Sequence, residues 1–238
     1  MDIQGKTALI TGGSKGIGYG VAEALVKEGM NVVITSRTKD EVEQAANDLG
    51  ELGGGKALGL ACDVRNLDEQ KSVVKRAVDE FGSLDVLIAN AGVGHFGPID
   101  ELSPEQWGDV IDINLTGAFN SVKASLDALK TSKGFVITIA SLAGTNFFAG
   151  GSAYNASKFG LVGFTQAIML DLRKHDIKVS TIMPGSVATY FGGQTPGEAD
   201  GWKIQQEDLG EMVVYLLKTP AQTLPSKIEV RPSRPPSS

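Results

Sequence analysis

Apolar positions along this chain fall into two alternating patterns. Short runs rich in Val, Ile, Leu and Ala occupy 7–11, 31–36, 57–62, 86–90, 135–140 and 178–182. They lack the polar–apolar alternation of a half-buried strand, as expected where helices cover both faces of a sheet. Between them, stretches at about 16–28, 39–49, 67–81, 104–130, 153–174 and 206–218 carry the wider spacing of helices. Ser103-Pro104-Glu105 places a cap residue, a first-turn proline and an acid at one helix start. Gly29, Gly50 and Gly82 follow helical stretches and suit left-handed caps. The segment 227–231 adds a seventh strand at the sheet edge. Strands alternating with helices predict an α/β fold: a doubly wound, mainly parallel, seven-stranded sheet with helices on both faces. One domain over 1–230 is expected, with an extended tail at 231–238.

Composition narrows the function classes. The 238 residues are 42% hydrophobic and carry a net charge of −6, which argues against bulk binding to nucleic acid or an anionic membrane. No apolar run approaches a membrane span. The chain enters its first strand almost at once, so no signal peptide is expected and a cytoplasmic location is. The single Cys62 excludes an internal disulfide framework and a cysteine-pair metal site.

Chemistry enters at Tyr154 and Lys158. Four residues apart on a helix, they share a face, where the ammonium favours the tyrosinate and draws a phenol pKa of about 10 downward. A phenol so tuned donates or accepts a proton at a carbonyl–alcohol pair. Ser141 lies thirteen residues upstream. At the other end of the chain, Thr11-Gly-Gly-Ser-Lys-Gly-Ile-Gly18 joins the first strand to a helix. Its small residues let backbone approach a pyrophosphate, and the helix N-terminus offers amide donors.

The second strand ends Ile34-Thr-Ser-Arg37. An acid at this point holds the ribose hydroxyls of NAD, whereas arginine accommodates the phosphate of NADP. Arg37 and Lys15 place two bases and no acid here, which favours NADP(H) over NAD(H). Asp63, after the third strand, suits either a hydrogen bond to adenine or a cap on its own turn.

Together these segments resemble the short-chain dehydrogenase/reductase family in its compact, single-domain Rossmann-type form, over nearly the whole chain. Gly12, Gly16 and Gly18 match the cofactor turn, with Ser14, Lys15 and Ile17 inside it. Ala89-Asn90-Ala91-Gly92 matches an N-N-A-G segment with alanine in the first position, and Pro184-Gly185 with Thr189 matches the stretch beside the nicotinamide. Asn114, Ser141, Tyr154 and Lys158 match a catalytic tetrad. The resemblance implies that Tyr154 exchanges the proton, Ser141 polarises the carbonyl, Lys158 binds the nicotinamide ribose and lowers the tyrosine pKa, and Asn114 positions a water. Val64 and Val187 join the expected cofactor contacts.

The substrate rim is expected from His95 and Phe96, from Phe147 and Phe148, from Tyr190 and Phe191, and from Trp202. This mostly aromatic list suits an apolar or weakly polar ketone or aldehyde. The segment from 191 to 203 is short and glycine-rich where family members carry a longer lid, and Trp202 either folds over substrate or packs under the next helix. The resemblance implies a homodimer or homotetramer and no metal. The leading expectation is an NADP(H)-dependent reductase of ketones or aldehydes, with 3-oxoacyl thioesters as a substrate alternative. A non-catalytic NADP(H)-binding redox sensor is the rival from another class.

Overall fold

The computed structural model describes residues 2–235. Seven strands alternate with the helices: β1 (Thr7–Thr11), α1 (Gly16–Lys27), β2 (Asn31–Ser36), α2 (Lys39–Glu51), β3 (Ala57–Ala61), α3 (Leu67–Phe81), β4 (Val86–Ala89), α4 (Pro104–Ile111), α5 (Gly117–Ser132), β5 (Phe135–Ile139), α6 (Ser152–Leu172), β6 (Lys178–Pro184), α7 (Gln206–Lys218) and β7 (Lys227–Val230). The sheet runs β3-β2-β1-β4-β5-β6-β7, and every pairing is parallel, β7 included.

Each central strand sends alternate residues to opposite faces, and both sets are buried. Ala8, Ile10, Val32, Ile34, Val86 and Ile88 face one core with Val21 and Leu25 of α1, Val42 and Leu49 of α2, and Leu209 and Val213 of α7. Leu9, Val33, Leu87 and Val136 face the other, with Val73 and Ala77 of α3 and Val122 and Leu129 of α5. A strand covered on both sides has no polar face to display, which is why these runs read as unbroken apolar segments. Strand order reverses between β1 and β4, so the connections from their C-terminal ends lead to opposite sides and leave a crevice.

The expected helix at 104–130 is interrupted. α4 stops at Ile111, a π-helical turn spans Asp112–Thr116, and α5 resumes at Gly117. This wider turn carries Asn114, whose amide is bonded to the loop after β4, an example of a π-turn placed at a site rather than along a plain helix. The start of α4 is as expected: Ser103 accepts from the Gln106 amide in a capping box behind Pro104. Gly29 and Gly82 have positive φ after their helices, but Gly50 lies inside α2. The left-handed residues there are Gly53 and Gly54, because α2 runs further than the apolar pattern indicated.

Among the described residues, no helix is long and apolar enough to cross a membrane. The first five residues of the expected tail, 231–235, form neither helix nor strand, and Pro232 lies close to Gly185. The remaining three residues of that tail lie outside the described residues.

Candidate active site

A cleft of about 1400 Å³ opens over the C-terminal ends of the strands. That exceeds the usual volume of a small-molecule pocket, roughly 300–1,000 Å³, and leaves room for a dinucleotide with a second ligand. Its walls include Gly12, Ser14, Lys15, Gly16, Ile17, Arg37, Asp63, Val64, Asn90, Ala91, Gly92, Pro184, Gly185, Val187 and Thr189. Ser141, Tyr154 and Lys158 line the same space, as do His95, Phe147, Phe148, Tyr190, Phe191 and Trp202. Three expected residues, Gly18, Phe96 and Asn114, are not among those that line it.

The glycine turn is clamped from β4. Thr11 Oγ1 accepts from the backbone amides of Asn90 and Ala91, both at 3.1 Å. Asn90 Nδ2 donates to the carbonyls of Thr11 at 2.9 Å and Gly12 at 3.0 Å. Gly12 and Gly16 have φ of 66° and 60°, a backbone region that favours glycine. A Cβ on Gly18 would fall 2.3 Å from the Gly12 oxygen and 2.6 Å from Asn90 Nδ2. Gly18 therefore permits the Asn90 clamp, and the clamp shapes the turn. The N-cap of α1, Lys15, supplies no side-chain cap, so first-turn amides remain free for an anionic ligand. The alanine at 89 is buried among Ala118, Ala140, Leu161 and Met183, and Asn90 carries the polar contacts of this segment.

Just beyond β2, Arg37 is exposed and lines the cleft. Contrary to the expectation of bases alone, Glu41 is also present, 4.0 Å from Lys15 Nζ. From the first turn of α2, Glu41 reaches the turn that follows β1. Asp63 lines the cleft and accepts from the Arg65 amide and from Arg65 Nε, each at 3.0 Å. The Arg65 hydrogen bond holds the Asp63 carboxyl below its ordinary range. Cys62, buried beneath, has its thiol pushed up to about 12 by burial and is chemically quiet.

Asn114 is almost wholly buried. Its Oδ1 accepts from the Val93 amide at 2.8 Å, while Nδ2 donates to the Val93 carbonyl at 2.9 Å and to Ser157 Oγ at 3.0 Å. Both amide hydrogens are thereby used, and the side chain fixes the loop after β4 to α6. A Cβ on Gly92 would come within 3.3 Å of Asn114 Oδ1 and 3.7 Å of Lys158 Nζ, which places the three together.

Ser141 ends the extended stretch after β5. It accepts from the Ala143 amide at 3.1 Å, and its hydroxyl is 3.4 Å from the Pro184 carbonyl. The Tyr154 ring meets Phe96 edge-on at 5.4 Å and Phe191 at 5.6 Å between centroids. Burial raises the Tyr154 phenol above its ordinary pKa, and a hydrogen bond from Ser141 opposes that rise more weakly. The expected lowering by Lys158 is not the outcome of this geometry. Lys158 Nζ donates to the Ile139 carbonyl at 3.0 Å and lies 5.7 Å from the Tyr154 ring centre. Burial also drives the Lys158 pKa down to about 8, so desolvation disfavours charge on both partners.

The depressed lysine has a measurable consequence. Below pH 8 the folded protein bears the cost of a buried ammonium, and that cost is relieved between pH 8 and the ordinary value of 10.5. Over this window the unfolded chain binds the extra proton, so stability rises with pH by on the order of 3 kcal/mol. Urea unfolding of cofactor-free protein should show this rise, and Lys158→Met should remove it. Parallel curves for the two proteins would contradict it.

The rim differs in detail from its expected form. Phe147 is 86% exposed, whereas Phe96 forms the centre of an aromatic cluster with Phe148, Tyr154 and Phe191. Trp202 is half-buried and faces the cleft, with Lys203 Nζ 5.9 Å from its ring. The segment 191–203 is short, with 3₁₀ turns at Phe191–Gly193 and Glu198–Asp200, and Gly192 and Gly193 have positive φ. Arg231, Pro232 and Pro235 of the tail also line the cleft and were not foreseen as site residues. Their one sequence signal is proximity to the last edge strand.

Comparison with known proteins agrees with this architecture. The family model described as short chain dehydrogenase matches residues 6–198. A 3-oxoacyl-[acyl-carrier-protein] reductase of Vibrio cholerae is 35% identical over 79% of this chain and 76% of its own. An alcohol dehydrogenase of Thermococcus sibiricus, solved with 5-hydroxy-NADP, superimposes with a TM-score of 0.91 at 30% identity, covering 98% of this chain and 99% of that one. A 3-ketoacyl-(acyl-carrier-protein) reductase of Brucella melitensis, solved with NADH, gives 0.87 at 26% identity over 98% and 99%. Clamped glycine turn, serine, tyrosine, lysine and parallel sheet thus occur in one chain that belongs to the short-chain dehydrogenase family of oxidoreductases.

Proposed function

We propose that this oxidoreductase is an NADP(H)-dependent reductase of ketones or aldehydes, and that Ser141, Tyr154, Lys158 and Asn114 carry its chemistry. The observation that carries this reading is the convergence of Ser141, Tyr154 and Lys158 on the cleft that the clamped glycine turn opens. The cradle around Gly12 and Gly18, the free amides of α1 and the cations Lys15 and Arg37 fit a dinucleotide carrying an additional phosphate. Bound there, NADPH supplies the hydride.

The protein's own contribution is proton control and orientation. Ser141 donates to the carbonyl oxygen and polarises it. Tyr154 Oη delivers the proton to that oxygen as the alcohol forms. A phenol held above its ordinary pKa is protonated at neutral pH, the state that reduction requires. Lys158 holds the nicotinamide ribose, and Asn114 keeps the loop after β4 against α6 so that these groups stay in register. Exposed Phe119 on α5 and Phe159 and Leu170 on α6 support assembly as a homodimer or homotetramer.

Similar proteins are solved with both NADP-type and NADH cofactors, so cofactor choice rests on this chain's second strand. Arg37→Asp should weaken NADPH by about 10- to 100-fold, the range for a charge-assisted hydrogen bond, and change NADH much less. Fluorescence titration of both cofactors checks this, and an unchanged NADPH-to-NADH ratio would remove Arg37 from the account. The overall reading is tested by NADPH oxidation across ketones, aldehydes, quinones and 3-oxoacyl thioesters. Turnover of a carbonyl supports a reductase and identifies its substrate class. Tight NADPH binding without any turnover would favour the sensor.

A further inference from the structure

One charged chain along the cleft wall has no part in the proton transfer just described. His95 Nε2 lies 3.1 Å from Asp109 Oδ2, and Asp109 Oδ1 accepts from Arg65 Nη1 at 3.3 Å. Arg65 in turn grips Asp63, with Nη2 at 2.6 Å from Oδ2. The loop that carries Arg65 is itself pinned. The Val64 carbonyl accepts from Gln70 at 2.7 Å and from Asn120 at 3.1 Å, and Asn120 also holds the Arg65 carbonyl at 3.1 Å. An imidazole on a surface loop is thereby held from α4, and through Arg65 from α3 and α5.

This arrangement determines which ring nitrogen faces which task. A carboxylate paired with a guanidinium only accepts, so His95 Nε2 carries the hydrogen in that contact. In the neutral ring Nδ1 is then a bare acceptor, and among the described residues it takes no hydrogen-bond partner. His95 lines the cleft, and the next residue, Phe96, packs against the Tyr154 ring. An oriented acceptor therefore stands in a rim that is otherwise mostly aromatic at the reacting end.

We propose that His95 is a specificity residue whose Nδ1 accepts a hydrogen bond from an O–H or N–H group elsewhere on the substrate. The preferred substrate is then a carbonyl compound that carries such a donor, in place of a plain apolar ketone. Asp109 acts through His95 as a positioning residue, holding its ring and tautomer. The inference rests on the reductase reading for the word substrate, but its test does not depend on turnover.

The probes are pairs of ketones alike in shape, one bearing a hydroxyl and the other the corresponding methyl ether, with the hydroxyl placed at different distances from the carbonyl. Each pair is titrated into NADPH-loaded Tyr154→Phe protein, in which the proton donor is absent, and the dissociation constants are compared. For at least one pair the hydroxyl compound should bind about five- to tenfold more tightly, the scale of one hydrogen bond. His95→Phe in the same background should bring that ratio to about one while leaving the ether's affinity and the melting temperature nearly unchanged. Asp109→Ala should reduce the ratio in part. No hydroxyl preference in any pair, or a preference that survives His95→Phe, would overturn the proposal. Failure of the reductase reading shows separately, as absence of NADPH oxidation by the unsubstituted enzyme.

Discussion

Tyr154→Phe should lower carbonyl reduction by about 10³-fold, within the usual range for loss of a general acid, while NADPH affinity changes by less than about threefold. The contrast follows from where the hydroxyl sits. Tyr154 packs through its ring, against Phe96 and Phe191, and phenylalanine preserves those contacts. What disappears is a phenol that Ser141 engages and that burial keeps protonated. The glycine turn is held instead by Thr11 and Asn90, so the cofactor cradle stays intact. Steady-state rates of ketone reduction, alongside NADPH fluorescence titration, separate the two effects. Equal losses in rate and cofactor affinity would mean that Tyr154 is chiefly a packing residue.

Gly18→Ala should act at the other end of the site and in the opposite manner, removing cofactor binding first. The added Cβ meets the Gly12 carbonyl at 2.3 Å and Asn90 Nδ2 at 2.6 Å. The Gly12 oxygen cannot simply retreat, because Asn90 holds it and the next amide, Gly13, donates to the Thr35 carbonyl at 2.9 Å. Either the Asn90 clamp breaks or the turn shifts, at a cost of about 1–3 kcal/mol for overpacking. NADPH affinity should fall at least about tenfold, and the melting temperature by several degrees. Gly50→Ala is the matched control, since it lies within α2 with nothing inside 4 Å of its new methyl. It should stabilise the protein by up to about 1 kcal/mol and leave NADPH binding alone. If both variants bind NADPH as the parent does, the clamp has no role in shaping the cradle.

Features that a local pattern determines were legible in the chain. The strand runs at 7–11 and 31–36, the glycine turn and the Tyr154–Lys158 spacing all reappear where the sequence places them, because sheet burial, turn sterics and helix period act over a few residues. Features that depend on approach between distant segments were not. No local signal distinguishes a π-turn at Asn114 from ordinary helix, since its stabilising bonds go to Val93 and Ser157. The tail beyond Val230 reads as extended, but only its docking near Gly185 makes it part of the cleft. His95 is weak evidence as a lone loop histidine, and its meaning changes once Asp109 and Arg65 are seen to hold it. The sign of the Tyr154 shift is not legible in the sequence for a related reason. Helical spacing brings Lys158 near, but its depth of burial, which the spacing does not reveal, disfavours its charge.

The central claim, that this cleft transfers hydride between NADP(H) and a carbonyl, is tested most directly by isotope. NADPH deuterated at the nicotinamide C4 position would be incubated with the enzyme and the best ketone of the panel, and the alcohol analysed by mass spectrometry. The account predicts one deuterium on the new carbinol carbon, from one face of the nicotinamide only, with formation suppressed in Tyr154→Phe. Alcohol without label, or labelled alcohol formed equally well by Tyr154→Phe, would contradict it.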